Sequence, residues 1–204
     1  MRVIGLTGGI GTGKSEVSRI LGTMGAVVIS ADLLGHEAYK PYSRTWQKVV
    51  KAFGKEVIGP AGHVDRKRIA ATIFSNSKAR AKLNSIVHPQ IAKIATERIE
   101  ELRRQGIDTI VLEAAILIEA GWDSLVDEVW ITHATEQVVV ERLKKRDNLS
   151  EKEIRGRVNA QLAYLERAKH GDVIIENTGS FEDLHSRVAD LWKSRYKEGL
   201  DDNG

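Results

Sequence analysis

Residues 8–15 read Gly-Gly-Ile-Gly-Thr-Gly-Lys-Ser and meet the phosphate-binding pattern G-x-x-x-x-G-K-[ST] at every fixed position. The octapeptide constrains the fold as much as the ligand, because such a loop works only when a strand delivers it and a helix leaves it. Both flanks are present. Val3-Ile4-Gly5-Leu6 is an apolar run of buried-strand length, and Val17, Ile20 and Leu21 recur at helical spacing beyond the loop. Gly8, Gly9, Gly11 and Gly13 let the backbone turn tightly enough for successive N–H groups to face phosphate oxygens. Lys14 sets a point charge against the β- and γ-phosphates, Ser15 offers a hydroxyl to Mg²⁺, and the helix presents its positive dipole end. A nucleoside triphosphate is the expected ligand, cradled by Gly11, Thr12, Gly13, Lys14 and Ser15 with Glu16 beside them.

Four more runs read as strands, at residues 26–30, 109–112, 128–132 and 172–176, joining residues 2–6. Their apolarity is mostly continuous rather than alternating, so both faces are covered. The expected fold is α/β, a five-stranded parallel sheet flanked by helices, with ligands beyond the carboxyl ends of the strands. A length of 204 residues suits one sizeable core with room for a subdomain. About 80 residues separate the second and third strands, far more than one crossover helix needs. The interval therefore holds a helical insertion, residues 33–106, with patterns at 43–53, 66–74, 78–86 and 89–104 and a turn at Gly59-Pro60-Ala61-Gly62.

Between the fourth and fifth strands, residues 138–168 read as a helix pair, the second opened by Ser150 with Glu153 three residues on, a capping-box pattern. Arg142 and Arg146 lie one turn apart on one helix face. They suit a lid that clamps a triphosphate. They equally suit surface ion pairs with Glu141 and with Glu151 or Glu153.

The chain has no cysteine, which excludes disulfides and thiolate metal sites, and its six histidines lack the paired spacing of a metal centre. No basic stretch followed by an apolar core opens the chain, and no apolar run approaches the roughly 18 residues that span a bilayer. A cytosolic protein without leader or membrane segment is expected. Residues 63–104 carry ten Lys/Arg against four Asp/Glu, and residues 141–170 nine against five, so either stretch suits an anionic small molecule or a solvated helix face. Nucleic acid is not the expected partner, because aromatics are 5% of the chain and base-stacking motifs are absent. Residues 198–204 read as a frayed end.

Phosphoryl transfer to a hydroxyl needs a proton acceptor near the phosphate loop. Asp32, just past the second strand, is the first candidate, placed there by the usual topology of such folds. Capping the helix that follows it is an alternative role for the same carboxylate. Glu113, ending the third strand, stands where an acid would help hold Mg²⁺ or orient the acceptor.

Taken in order, these features resemble the dephospho-CoA kinase family nearly end to end. The likeness runs from Ile4-Gly5-Leu6-Thr7 and the loop to Ser15, through Ser30-Ala31-Asp32 with His36, and Asp65-Arg66 ahead of Phe74. It continues with Leu83, Ile86 and His88-Pro89, then Leu117 and Glu119 after the third strand. Arg142, Arg146-Asp147 and Gln161 follow, then Asp172 and Asn177-Thr178-Gly179-Ser180. The loop alone marks only a P-loop protein; joined to His88-Pro89 and the Asn177 segment it is far more specific.

The resemblance implies a P-loop NTPase fold with a helical substrate-binding insertion and a helical lid, and ATP-dependent phosphorylation of the ribose 3′-hydroxyl of dephospho-CoA. It implies Asp32 as the base, Lys14 and Ser15 on ATP and Mg²⁺, and Arg142 with Arg146 over the phosphates. Asn177 and Gly179 would lie by the adenine. His36, Arg66 and His88 would belong with the acceptor, as would Glu119, which positions the ribose or only caps the next turn. His88 read by itself equally suits ordering of the helix at Pro89. The family's usual Pro-Leu-Leu-Phe-Glu is here Ala115-Ile116-Leu117-Ile118-Glu119, and Glu16 stands where Thr is frequent. Neither departure removes a group the chemistry needs. A monomer or weak homo-oligomer is expected. Another P-loop small-molecule kinase would share loop and lid; a GTPase-like switch would need N-K-x-D and D-x-x-G segments that this chain lacks in the expected places.

Overall fold

The structure is a computed structural model that describes residues 1–74 and 76–196, without the side chains of residues 66, 74 and 196. The chain end read as frayed lies outside the described residues. Two compact units are present, one of residues 1–29 and 102–204 and the other of residues 30–101.

The first unit is built on a parallel sheet of β1 (Arg2–Gly8), β2 (Val27–Ser30), β3 (Thr109–Glu113), β4 (Glu128–His133) and β5 (Val173–Glu176), in the order β2-β3-β1-β4-β5. The expected five-stranded parallel sheet is therefore present. On one side β3 is hydrogen-bonded to β1, with Ile4 opposite Val111 and Leu6 opposite Glu113. On the other side Leu6 faces Trp130 and Thr7 faces Ile131. Strand order is a long-range outcome that no local pattern carries.

Register explains the core. Ile4, Leu6, Val111, Trp130, Val173 and Ile175 share one face of the sheet and pack in one cluster with residues of α1 (Lys14–Thr23) and α9 (Phe181–Tyr196). α1 contributes Val17, Ile20 and Leu21, and α9 contributes Leu184, Val188 and Trp192, both at helical spacing. The opposite face also buries Val3, Ile110, Leu112, Val129 and Ile131. Coverage of both faces is the physical reason these strands lack polar alternation.

Three helices lie between β4 and β5: α6 (Glu136–Asp147), α7 (Glu151–Asn159) and α8 (Tyr164–Ala168). Asn148 ends α6 in the left-handed conformation at φ 52°. Ser150 and Glu153 form the capping box that the sequence pattern foretold, Ser150 N–H donating to Glu153 Oε2 at 2.9 Å. α6 and α7 enclose a small core of Ala134, Val139, Val140, Leu143 and Ile154.

The second unit holds α2 (Ala31–Ala38), α3 (Arg44–Phe53), α4 (Arg66–Phe74) and most of α5 (Ser77–Arg104). α2 buries Ala31, Leu34, Gly35 and Ala38 and leaves Asp32 and His36 on its exposed face. Ser43 caps α3, accepting from the Trp46 amide at 3.1 Å, and Asp65 caps α4, accepting from the Lys67 amide at 2.9 Å. The Gly59–Gly62 turn is closed by Gly59 N–H donating to His63 O at 2.9 Å. Residues 78–86 and 89–104, read as two helices because of Pro89, are one. Val87, Ile91, Ala95 and Ile99 form a buried stripe at every fourth position, so side-chain burial on both sides of Pro89 carries the helix through it.

Candidate active site

β1 delivers the chain at Gly8, and α1 receives it at Lys14. Two glycines of the loop have positive φ, Gly11 at 77° and Gly13 at 94°, so left-handed backbone is confined to the loop's second half. Gly13 is the N-cap of α1, and a Cβ there would run into Asn177 Nδ2. Gly13→Ala is therefore expected to weaken ADP binding at least about tenfold, measured by calorimetry, since the substitution meets both backbone strain and a close contact.

Polar groups hold the loop from beneath. The buried Thr12 hydroxyl donates to Gly9 O at 2.8 Å and pairs with Thr132 Oγ1 at 2.7 Å, which must then be the donor. Asn177, nearly fully buried at the end of β5, donates from Nδ2 to Thr12 O at 2.9 Å. Its Oδ1 accepts from Arg142 at 3.1 Å, and Arg142 also reaches Gly11 O at 3.5 Å. Arg142 thus serves the loop rather than an ion pair with Glu141. Arg146 pairs with Asp147 at 2.7 Å; Glu151 is taken by Lys144 and Arg155, and Glu153 by Ser150.

The chemistry converges on one carboxylate. Glu113 Oε1, at the end of β3, accepts from Lys14 Nζ at 2.9 Å and from Ser15 Oγ at 2.9 Å. Burial pushes the Glu113 carboxyl up, but the hydrogen bond and charge of Lys14, with the Ser15 hydrogen bond, outweigh it and hold the group below the usual range. The Ser15 hydroxyl and this carboxylate are hard oxygen donors of the kind Mg²⁺ takes. The Glu16 and Val17 amides donate to Gly13 O, which leaves those of Lys14 and Ser15 at the start of α1 suited to an anion.

Lys14 and Ser15, with the loop, border a cavity of about 790 Å³, within the range of small-molecule sites. Gly11, Gly13, Lys14, Ser15, Glu16, Arg142, Arg146 and Asn177 line it. Glu16 does so while paired with Arg19, at 2.5 Å. Thr12 lies beneath the loop, and Gly179 borders a separate surface groove with Thr178. Lys145, Gln161 and Phe181 also line the cavity, and no role was read for them from sequence. Phe181 is an exposed aromatic with the Arg19 guanidinium 5.4 Å from its ring centre. Nothing in local periodicity separates such a residue from an ordinary helix start.

Glu119 pairs at 3.0 Å with Arg167 of α8, whose side chain is buried to 3% exposure and was not singled out by sequence. The stretch 115–119, without the family's proline, is closed by Ala120 N–H donating to Ile116 O at 2.9 Å and by fully buried Leu117.

The remaining expected residues belong to the second unit. Asp32 is the second residue of α2, whose N-cap is Ser30, so it is not the capping residue. His36 lies one turn further along the same exposed face. His88 is half-buried inside α5, where burial holds its imidazole below the usual range and keeps it neutral at pH 7. Arg66 opens α4, and its side chain lies outside the described residues.

A family model described as Dephospho-CoA kinase matches residues 2–183. A Geobacter sulfurreducens protein named Dephospho-CoA kinase is 45% identical over 196 residues, covering 96% of this chain and 100% of its own. One of the same name from Carboxydothermus hydrogenoformans is 39% identical and covers 94% of each chain. Among solved structures, the dephospho-CoA kinase from Campylobacter jejuni superposes with a TM-score of 0.73 at 25% identity, over 97% of this chain and 98% of that one. Shikimate kinase from Acinetobacter baumannii gives a TM-score of 0.54 at 15% identity over 96% and 95%, a likeness of fold alone.

Proposed function

The chain belongs to the dephospho-CoA kinase family, and on that footing we propose that ATP occupies the 790 Å³ cavity with its triphosphate on residues 8–15. The reaction is ATP-dependent phosphorylation of the ribose 3′-hydroxyl of dephospho-CoA, which yields coenzyme A and ADP. The observation that carries the assignment of groups is the convergence on Glu113 of Lys14 Nζ and Ser15 Oγ, two residues at the wall of the cavity that Arg142 and Asn177 complete.

In this reading the bond from the 3′-oxygen to the γ-phosphorus forms as the bond to the β,γ-bridging oxygen breaks, and that oxygen's electron pair stays on ADP. Asp32 takes the proton of the attacking hydroxyl. Lys14, Arg142 and the first amides of α1 balance charge on the transferring group, and positioning supplies most of the acceleration. Ser15 and Glu113 would hold Mg²⁺, directly or through water. When bound, the ion would neutralise charge on the phosphates. The base of ATP would lie toward Asn177, Gly179 and Phe181, with Arg146 and Glu16 at the rim.

His36, Arg66 and His88 of residues 30–101 would bind dephospho-CoA, as would Glu119, and α6–α8 would serve as the lid. Among the described residues no helix is long and apolar enough to cross a membrane. A cytosolic location and a monomeric or weakly self-associating state complete the reading.

The test is a purified-protein assay with Mg·ATP and dephospho-CoA, AMP, CMP, adenosine or shikimate, with products identified by mass spectrometry. Phosphorylation of dephospho-CoA alone, at the 3′ position, is the expected result. Turnover of another acceptor in its place would discard the acceptor and keep the phosphate loop.

A further inference from the structure

The tip of the phosphate loop is seated in the α6–α8 helices rather than in the strand and helix that flank it. The Ile10 side chain packs against the cluster of Val139, Val140, Leu143 and Ile154. Its backbone N–H donates to Gln161 Oε1 at 2.8 Å, across 151 residues of sequence. A Cβ at Gly11 would sit 3.1 Å from Val139 and 3.2 Å from Leu143, so the backbone there already touches α6.

Gln161 follows α7 in the turn that leads to α8, and it borders both the 790 Å³ cavity and a second cavity of about 370 Å³ behind the loop. What it grips is one peptide unit. The Gly9–Ile10 peptide is planar, so its N–H and C=O point in opposite directions and are fixed together. The N–H is held by Gln161; the C=O of Gly9 is held by the Thr12 hydroxyl at 2.8 Å and the Thr12 amide at 3.3 Å. Withdraw either anchor and this peptide can turn over, which moves the loop residues that follow it. An amide oxygen suits the place. A carboxylate would accept the same hydrogen bond but would set a negative charge beside the triphosphate.

We propose that Gln161 is a positioning residue for phosphoryl transfer, which orients the Gly9–Ile10 peptide and so couples the α6–α8 helices to the phosphate cradle. The inference rests on the reading that this cavity takes ATP.

Gln161→Met keeps length and removes the acceptor; Gln161→Asn keeps the amide and draws it back. Each variant is compared with wild type in ADP Kd by calorimetry, in KM for ATP and for dephospho-CoA, and in Tm. The expected result is a rise of about 5- to 20-fold in ADP Kd and ATP KM, with dephospho-CoA KM within about twofold. Thr12→Val removes the other anchor of the same peptide. Combined with Gln161→Met, it should cost less than the product of the two single losses.

Unchanged ADP Kd and ATP KM in both Gln161 variants, with wild type binding ADP normally, would overturn the proposal alone. So would a lowered Tm with both substrates' KM values raised equally, the mark of a structural role. Wild-type protein that binds no ADP would overturn the proposal together with the ATP reading beneath it.

Discussion

Asp32→Asn is expected to lower kcat by about 10²- to 10⁴-fold while ATP KM stays close to wild type. The substitution keeps the shape of the side chain and its place as second residue of α2, and removes only the capacity to take a proton. Ala31, Leu34, Gly35 and Ala38 bury the opposite face of α2, so the exposed Asp32 side chain is not part of the packing. A folding defect is therefore not expected, and a Tm within a few degrees of wild type checks this. The expected kinetic signature is a loss in kcat with little change in either KM, because a general base acts in the transition state. Turnover within a few-fold of wild type would remove Asp32 from the role and move attention to another carboxylate.

Lys14→Ala is expected to lower kcat/KM for ATP by about 10²- to 10³-fold, the scale on which loss of one well-placed charge stabiliser is felt. Unchanged ATP kinetics would contradict the assignment of the loop. A second consequence concerns Glu113. In the wild type its carboxyl lies below the unfolded value, about 4.3, so its contribution to stability is present above that pH and is lost as pH falls through the folded pKa. Without Lys14 the two largest causes that lower the carboxyl are gone, so it rises from its wild-type position and its stability contribution shrinks. Unfolding followed between about pH 4 and 7 should show Lys14→Ala gaining less stability with rising pH than wild type. Adding Glu113→Gln should remove the difference. Parallel pH profiles in all three proteins would show that the Lys14–Glu113 contact carries no net electrostatic weight.

The loop, the five strands and the Ser150 capping box were legible because each is encoded within a few residues. Glycine placement, apolar continuity and a Ser-to-Glu spacing act through local sterics and hydrogen bonds. Pro89 misled for the same reason. A local rule predicts a break, and the Val87–Ile91–Ala95–Ile99 stripe overrides it through burial that the rule does not see. Asp32 was placed next to a strand end correctly, yet the helix starts one residue before it with Ser30 at the N-cap position, since helix boundaries shift by a residue or two without any change of pattern.

The site divides along the same line. Lys14, Ser15 and the loop glycines stand within an eight-residue motif, so the loop that we propose as the triphosphate cradle could be located before any fold was known. Which groups hold that cradle could not. Glu113 is 99 residues from Lys14, Gln161 is 151 from Ile10 and Asn177 is 165 from Thr12, yet each makes a hydrogen bond of 2.8 or 2.9 Å. Those contacts depend on the strand order that sets β3 and β4 on either side of β1, with β5 beyond β4. Local sequence selects backbone conformation and the chemistry of each side chain. Partner choice across a hundred residues is settled only when the buried faces of sheet and helices have found their register.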